Sequence, residues 1–339
     1  MKKEAYLYDK LPDNKVKCRL CPKECIIKEN EQGFCTVRTN TDGILYADNY
    51  GESTYFVRDT IETEGVYHYK PGCFSIEVGT YGCNFHCDFC QNWRYSRTDT
   101  VKMDALVTYT PQQLVDKCIE MDIKLIAWTF NDPIIWYEFI MDTAGIAKAN
   151  GITSLYKSSH FISQEALENL CAHVDIFSIS LKSIKDEFYR KYCTGWIEPV
   201  KESLKYLVGR GDKHVEVSNL VIPTINDSEE EVNEFNTWIL ENIGDSIPVH
   251  FVRYHPDYKF TIERTPEETV MAIRAAALKA GIKHAYVGNV FSSVGINTYC
   301  TKCNNLLIKR EGRRVEIDGM DESTGTCKKC NHKVENMII

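Results

Sequence analysis

Nowhere in these 339 residues does an apolar run reach the roughly 18–20 residues of a membrane-spanning helix, so no helical span is expected. The opening Met1-Lys2-Lys3-Glu4 is not followed by an apolar core. A secretory leader is therefore not visible, and cytoplasmic residence is the expectation. Positive charge is short as well: 40 Lys and Arg stand against 48 Asp and Glu, a formal net charge of −8. That balance disfavours general binding to a nucleic-acid backbone, which needs a concentrated positive surface. Internal repeats and low-complexity tracts are also missing, which excludes solenoids and disordered linkers. What remains is a globular composition, long enough for a large catalytic body with one or two appendages.

Cysteine, by contrast, is abundant, and its fifteen residues are clustered. Four fall at Cys18, Cys21, Cys25 and Cys35, three at Cys83, Cys87 and Cys90, and four at Cys300, Cys303, Cys327 and Cys330. Close-spaced thiols in a chain expected to be cytoplasmic point to metal rather than to disulfides. The clusters divide the chain into a Cys-rich, turn-rich extension over 1–70, a body over 71–295 and a tail over 296–339. The tail reads as hairpins, with 306–308 and 314–317 flanking Glu311-Gly312. In the body, strand-like and helix-like segments alternate. Strands are predicted at 74–78, 125–129, 153–156, 176–181, 215–222 and 249–252, with a possible extra one at 284–287. Helices are predicted from Pro111 with Thr110 as cap, over 134–150, 164–172, through Leu207, and over 229–242 and 266–280. Six βα units imply a parallel sheet with right-handed crossovers. Periodicity alone does not choose between a doubly wound sheet and a barrel.

The segment Cys83-Asn84-Phe85-His86-Cys87-Asp88-Phe89-Cys90 directly follows the first predicted strand. Three thiolates suit three irons of a [4Fe–4S] cube and leave the fourth open to a small molecule. Zinc normally takes four ligands, or three plus water. Spacing favours iron–sulfur, although His86 offers zinc a conceivable fourth ligand.

C-x3-C-x2-C with an aromatic, Phe89, before the last cysteine resembles the motif of the radical S-adenosylmethionine superfamily. With Gly79-Thr80-Tyr81-Gly82 before it and Gln91-Asn92-Trp93 after it, the chain resembles the radical enzymes of the AmmeMemoRadiSam system, relatives of pyruvate formate-lyase activating enzymes. Cys21-Pro22, Gly33-Phe34-Cys35-Thr36-Val37-Arg38, Gly288-Asn289-Val290 and Asn297-Thr298-Tyr299-Cys300 extend the likeness over nearly the whole chain. The resemblance implies a partial (β/α)6 TIM-like barrel in which a [4Fe–4S] cluster cleaves S-adenosylmethionine reductively. A 5′-deoxyadenosyl radical then removes hydrogen from an unidentified substrate, small molecule or protein, with the electron coming from a ferredoxin- or flavodoxin-type reductant. It places Phe89 near the adenine, and it places Thr129, Asn131, Asp132 and Pro133 near the amino group of S-adenosylmethionine. Ile222 and Asn226, in the segment after the fifth strand, fall near the adenosine. Asp132 or Asn131 would serve equally as a helix cap, and the second segment as a plain Pro-Asn-Asp loop. Two departures stand out: Ser180-Leu181-Lys182 replaces Asp-Leu-Lys, and Ser158-Ser159-His160 replaces Thr-Asn-Gly. Substrate identity therefore does not carry over. Lys182 is a candidate substrate contact, and Cys193, in an irregular break between helices, a candidate hydrogen-atom donor or acceptor.

The paired C-x2-C knuckles of the tail, 23 residues apart, read as a zinc-ribbon-like site. The head spacing C-x2-C-x3-C-x9-C is less regular, and zinc, mononuclear iron or an auxiliary iron–sulfur cluster all suit it. A structural metal is favoured there. Cys118 and Cys171 are expected to be small core residues, while Cys73 carries no signal. Rival readings are installation of a glycyl radical on a partner protein and a metal-rich electron-transfer or binding protein. Contact with RNA through the ribbon is disfavoured by the acidic charge.

Overall fold

The computed structural model describes residues 2–290 and 293–339. Two compact units divide the chain, the first made of 1–59, 74–177 and 186–206, the second of 60–73, 178–185 and 207–339. The fold is α/β, built on parallel strands and intervening helices.

In the first unit the strands Phe74–Gly79, Leu125–Trp128 and Thr153–Ser158 lie side by side, all parallel. Ile126 pairs with Ile76, and Trp128 with Val78 and Tyr156. Leu125–Trp128, the middle strand, is apolar and buried throughout, as a strand covered on both faces is, whereas its neighbours also bury Ser75, Glu77, Ser154 and Ser158. The helix Pro111–Glu120 starts at a complete capping box: Thr110 Oγ1 accepts from Gln113 N (3.2 Å), and Gln113 Oε1 accepts from Thr110 N (2.8 Å). Leu114, Val115 and Cys118 face the core, whereas Ile119 is 45% exposed. The single helix expected over 134–150 is two pieces, a 3-10 turn Pro133–Trp136 and an α-helix Tyr137–Ala149. Pro133 fixes the first φ, and Asp132 accepts from Ile134 N (3.3 Å), so the chain starts tight before it relaxes.

The head, expected only as turn-rich, contains two small antiparallel sheets. One joins Tyr8–Lys10, Val16–Cys18 and Ile26–Ile27, and the other Lys3–Glu4, Ile44–Ala47 and Arg38–Thr41. Asp42 and Gly43 turn the second hairpin at φ 53° and 72°, the paired positive φ values of a type I′ turn. Arg38 is 1% exposed and forks onto Glu138, Nη1 to Oε1 at 3.0 Å and Nη2 to Oε2 at 2.6 Å. That pair ties the head to the helix Tyr137–Ala149.

In the second unit His214–Val221, Val249–Arg253 and Ala285–Gly288 are parallel neighbours, so the possible extra strand is present. The strand Ile176–Ser180 has residues in both units. The tail hairpin pairs Leu306–Glu311 with Arg314–Glu316. At the N-terminal ends of the second-unit strands lies a polar network that no motif announced. Glu216, fully buried, accepts from His214 Nε2 (2.9 Å), His250 Nε2 (2.7 Å) and the backbone N–H groups of Tyr67 and His68. Burial opposes its charge, but the bonds from His214 and His250 hold the carboxyl well below its ordinary range. Among the described residues no helix is long and apolar enough to cross a membrane.

Candidate active site and metal centres

Three loops of the first unit follow neighbouring parallel strands, so they emerge at one end of the sheet, where barrel chemistry is placed. The first is the cysteine loop. Gly82 enters it at φ 84°, and a Cβ there would meet Val37 Cγ1 at 2.7 Å and the Cys35 carbonyl at 2.8 Å. Only glycine allows that approach. Cys83 and Cys87 are buried, and Cys90 is half-buried. Burial, then the charges of Asp132 and Cys87, push the Cys83 thiol well up; burial does the same to Cys90. Such thiols stay protonated until a metal displaces the proton.

Backbone bonds brace the loop against the irregular turn 189–194. His86 N donates to Cys193 O (3.2 Å) and Thr194 Oγ1 (3.0 Å), and Asp88 N donates to Tyr192 O (2.9 Å). Asn84 Nδ2 reaches Phe161 O at 2.8 Å. The His86 ring lies 4.1 Å from the Phe34 ring, stacked at a tilt. Phe89 is buried beside Phe188, ring centroids 5.6 Å apart. Cys193 is fully buried, and its carbonyl supports the loop.

The second and third loops meet at Asp132. Its Oδ1 accepts from Ile134 N and Ser158 Oγ (2.8 Å), and its Oδ2 accepts from Ser159 N (3.0 Å) and Ser159 Oγ (2.5 Å). Four bonds fill the carboxylate, so the unusual Ser158-Ser159 pair exists alongside a fully engaged Asp132. Asn131 differs: Nδ2 donates to Gly82 O at 2.8 Å, while Oδ1 is buried without a donor. An orphan acceptor beside the cysteine loop is what an ammonium group would satisfy. Thr129 and Pro133 are buried on either side.

Lys182, Ile222 and Asn226 belong to the second unit. Asn226 brackets its own loop: Oδ1 accepts from Ile222 N (2.7 Å), and Nδ2 donates to Leu220 O (2.8 Å) and Lys182 O (3.0 Å). Asn219 Nδ2 also reaches Lys182 O, at 3.2 Å. Two asparagines therefore fix the Lys182 backbone. Ile222 is fully buried.

In the tail the four cysteine ligand atoms lie within 4.8 Å of one another, Cys300 Sγ to Cys330 Sγ at 3.6 Å and Cys303 Sγ to Cys327 Sγ at 3.7 Å. Among the described residues no other group of three or more such ligand atoms is that close. The thiols of the central loop and of the head are therefore spread wider than ligands around one ion. Cys118 and Cys171 are core residues, as expected.

The model of the radical SAM superfamily matches residues 78–235, which span the cysteine loop and the second and third loops. An uncharacterized protein of Methanocaldococcus jannaschii is 38% identical over 339 residues, covering 99% of this chain and 100% of the relative. The chain belongs to the radical SAM superfamily. A second uncharacterized protein of that organism is 23% identical over 253 residues, 71% of this chain and 67% of its own. Among solved structures, a domain of pyruvate-formate lyase-activating enzyme from Bacteroides vulgatus aligns at TM-score 0.43 and 15% identity, covering 48% of this chain and 98% of that domain. A radical SAM methyltransferase from Sphaerobacter thermophilus aligns at TM-score 0.48 and 18% identity, covering 65% and 67%. Radical SAM membership implies a [4Fe–4S] cluster and S-adenosylmethionine. The residues here fit both: three thiols in one loop, too dispersed for a single ion, and an unpartnered acceptor at Asn131.

Sequence reasoning missed Thr194, Gly195 and Ser158-Ser159 as supports of this site. Gly195 had a signal, a glycine within an irregular break. The serines had one only as a departure from relatives.

Proposed function

We propose that this chain is a hydrogen-abstracting radical SAM enzyme whose cluster is ligated by Cys83, Cys87 and Cys90. When bound, the cluster and S-adenosylmethionine supply a 5′-deoxyadenosyl radical. Asn131 Oδ1 accepts from the amino group of S-adenosylmethionine, Thr129 and Pro133 shape that pocket, and Phe89 lies near the adenine. Asp132 holds the second and third loops together. Ile222 and Asn226 shape the adenosine side, and Lys182, its backbone pinned by two asparagines, contacts an acidic or polar group of substrate. The Cys193 carbonyl braces the cysteine loop, and its thiol remains the candidate hydrogen-atom donor or acceptor. The electron comes from a ferredoxin- or flavodoxin-type protein, and the tail cysteines hold zinc.

The observation that carries this reading is the orphan Asn131 acceptor, bonded through its own amide to Gly82, the residue before Cys83. Replacing Cys83, Cys87 and Cys90 with Ala should abolish 5′-deoxyadenosine formation and remove about four irons. Retained 5′-deoxyadenosine formation in that variant would refute it. Lys182→Met should keep uncoupled S-adenosylmethionine cleavage but lower substrate-stimulated turnover at least about tenfold, roughly 1.4 kcal/mol. Equal loss of both activities would move Lys182 to the cofactor.

A further inference from the structure

We infer that the head cysteines Cys18, Cys21, Cys25 and Cys35 ligate a second, fully coordinated [4Fe–4S] cluster, in place of the structural metal that their spacing favoured. Only the contrast with the central site rests on the radical SAM reading. The four thiols line one pocket. Around one tetrahedral zinc, bonds of about 2.3 Å put sulfurs about 3.8 Å apart. The tail obeys that geometry at 3.6 and 3.7 Å, whereas among the described residues the head thiols form no such close group. In a cube the irons and sulfides stand between the cysteines, which spreads the thiolates apart.

Tight backbone turns carry the cysteines that line this pocket. Cys18 N donates to Cys25 O (3.0 Å), closing the first loop, and Glu24 N donates to Cys21 O (3.1 Å) with Glu24 at φ 44°. Thr36, at φ 62°, turns the chain directly after Cys35.

A second, independent feature is Arg38. It lines the same pocket and is 1% exposed, and both its terminal nitrogens are taken by Glu138. Its Nε–H has no acceptor, and its charge acts on both Cys18 and Cys35. Thiolate and inorganic sulfide are acceptors for such a donor, and bonds of this kind tune cluster potential. Lys23 also lines the pocket, its Nζ 3.8 Å from the Phe34 ring centroid and 2.6 Å from Thr194 O; it feels the charges of Cys21, Cys25 and Cys83. Asn84, next to Cys83, completes the wall. The head site is thus neighbour to the cysteine loop. With every iron ligated it has no position for S-adenosylmethionine, so it holds an electron without being a second radical centre.

The test is metal and sulfide analysis of anaerobically reconstituted full-length protein. Wild type should carry about eight irons, and Cys83→Ala/Cys87→Ala/Cys90→Ala about four with matching sulfide. In that variant one-electron reduction by dithionite should give an EPR signal that added S-adenosylmethionine leaves unchanged. Adding Cys21→Ser and Cys25→Ser should remove iron and signal together. Zinc without sulfide in the triple variant, or iron that survives loss of Cys21 and Cys25, overturns the inference. Should the triple variant not fold, Cys21→Ser/Cys25→Ser alone decides: a fall from about eight irons to about four supports the cluster, and unchanged iron overturns it. If wild type holds about four irons, all lost with Cys21 and Cys25, the head cluster stands and the central assignment fails.

Discussion

His160 sits at φ 55°, fully buried, with Nδ1 2.9 Å from Ser203 Oγ and its ring edge-on to Tyr156 and Phe177. Burial pulls its pKa down to about 3, so it is neutral in the folded protein. An unfolded histidine titrates near 6.5, and between these values only the unfolded chain takes up the proton. Stability from this group is complete above about pH 6.5 and drains away as pH falls toward 3. His160→Asn, which tolerates the left-handed backbone, should flatten that slope by about 1.4 kcal/mol per pH unit between pH 6 and 4. Denaturant titrations of both proteins across that range check it; parallel slopes would refute neutral burial. Asn131 and Asp132 make the complementary point. Neighbours in sequence and similar in shape, they differ because one oxygen is left over on Asn131 and none on Asp132.

The element that most directly shapes the site is the short π-helical turn Tyr189–Cys193 with Thr194 and Gly195 behind it. Its carbonyls face the cysteine loop because a π turn leaves them without regular intrahelical partners. Gly195 then brings the backbone so close to Phe85 that a Cβ would stand 2.2 Å from its ring. Gly195→Ala should therefore force Phe85 and the loop aside, lowering stability by about 1–3 kcal/mol. Iron retention at the central site should fall with it. Gly209, in the helix Glu198–Arg210 with nothing within 4 Å of its would-be Cβ, is the control. Gly209→Ala should be neutral or slightly stabilising. Thermal melts and iron analysis of both variants distinguish a local steric effect from a general sensitivity to alanine.

At the scale of the whole molecule, the prediction is that a metal at the four tail cysteines contributes a large share of stability at the C-terminus. The tail core holds six buried residues, Cys300, Leu307, Ile308, Met320, Cys327 and Val334, two of them would-be ligands. Structural zinc is worth about 10–16 kcal/mol in isolated finger peptides, at least as much as the roughly 6–12 kcal/mol that burying Leu307, Ile308, Met320 and Val334 supplies. Cys327→Ser/Cys330→Ser should lose one zinc per chain and melt at lower temperature, with little change in S-adenosylmethionine cleavage per folded molecule. Unchanged zinc and an unchanged melt would contradict this. The hairpin is also anchored by Arg310, whose guanidinium reaches Tyr67 O (2.7 Å) and Thr298 Oγ1 (2.8 Å) near the Glu216 network.

By itself the sequence determined what depends on neighbours along the chain. Legible there are the βα alternation, the helix Glu229–Asn242 to the residue, the cap at Thr110, and which cysteines cluster, because periodicity and loop spacing are local. It also carried the family, since the cysteine loop is one continuous segment. Tertiary structure alone decided the rest. Whether four thiols draw in to single-ion distance or stand apart around a pocket depends on distant walls, Ile134, Ile135 and Asn84 in the case of the head. Glu216 meets His250 and the Tyr67 backbone only because strands remote in sequence lie side by side. Asp132 is full and Asn131 is not because Ser158 and Ser159 come from the next strand, and a hydrogen-bond deficit belongs to a place in space, not to a residue type.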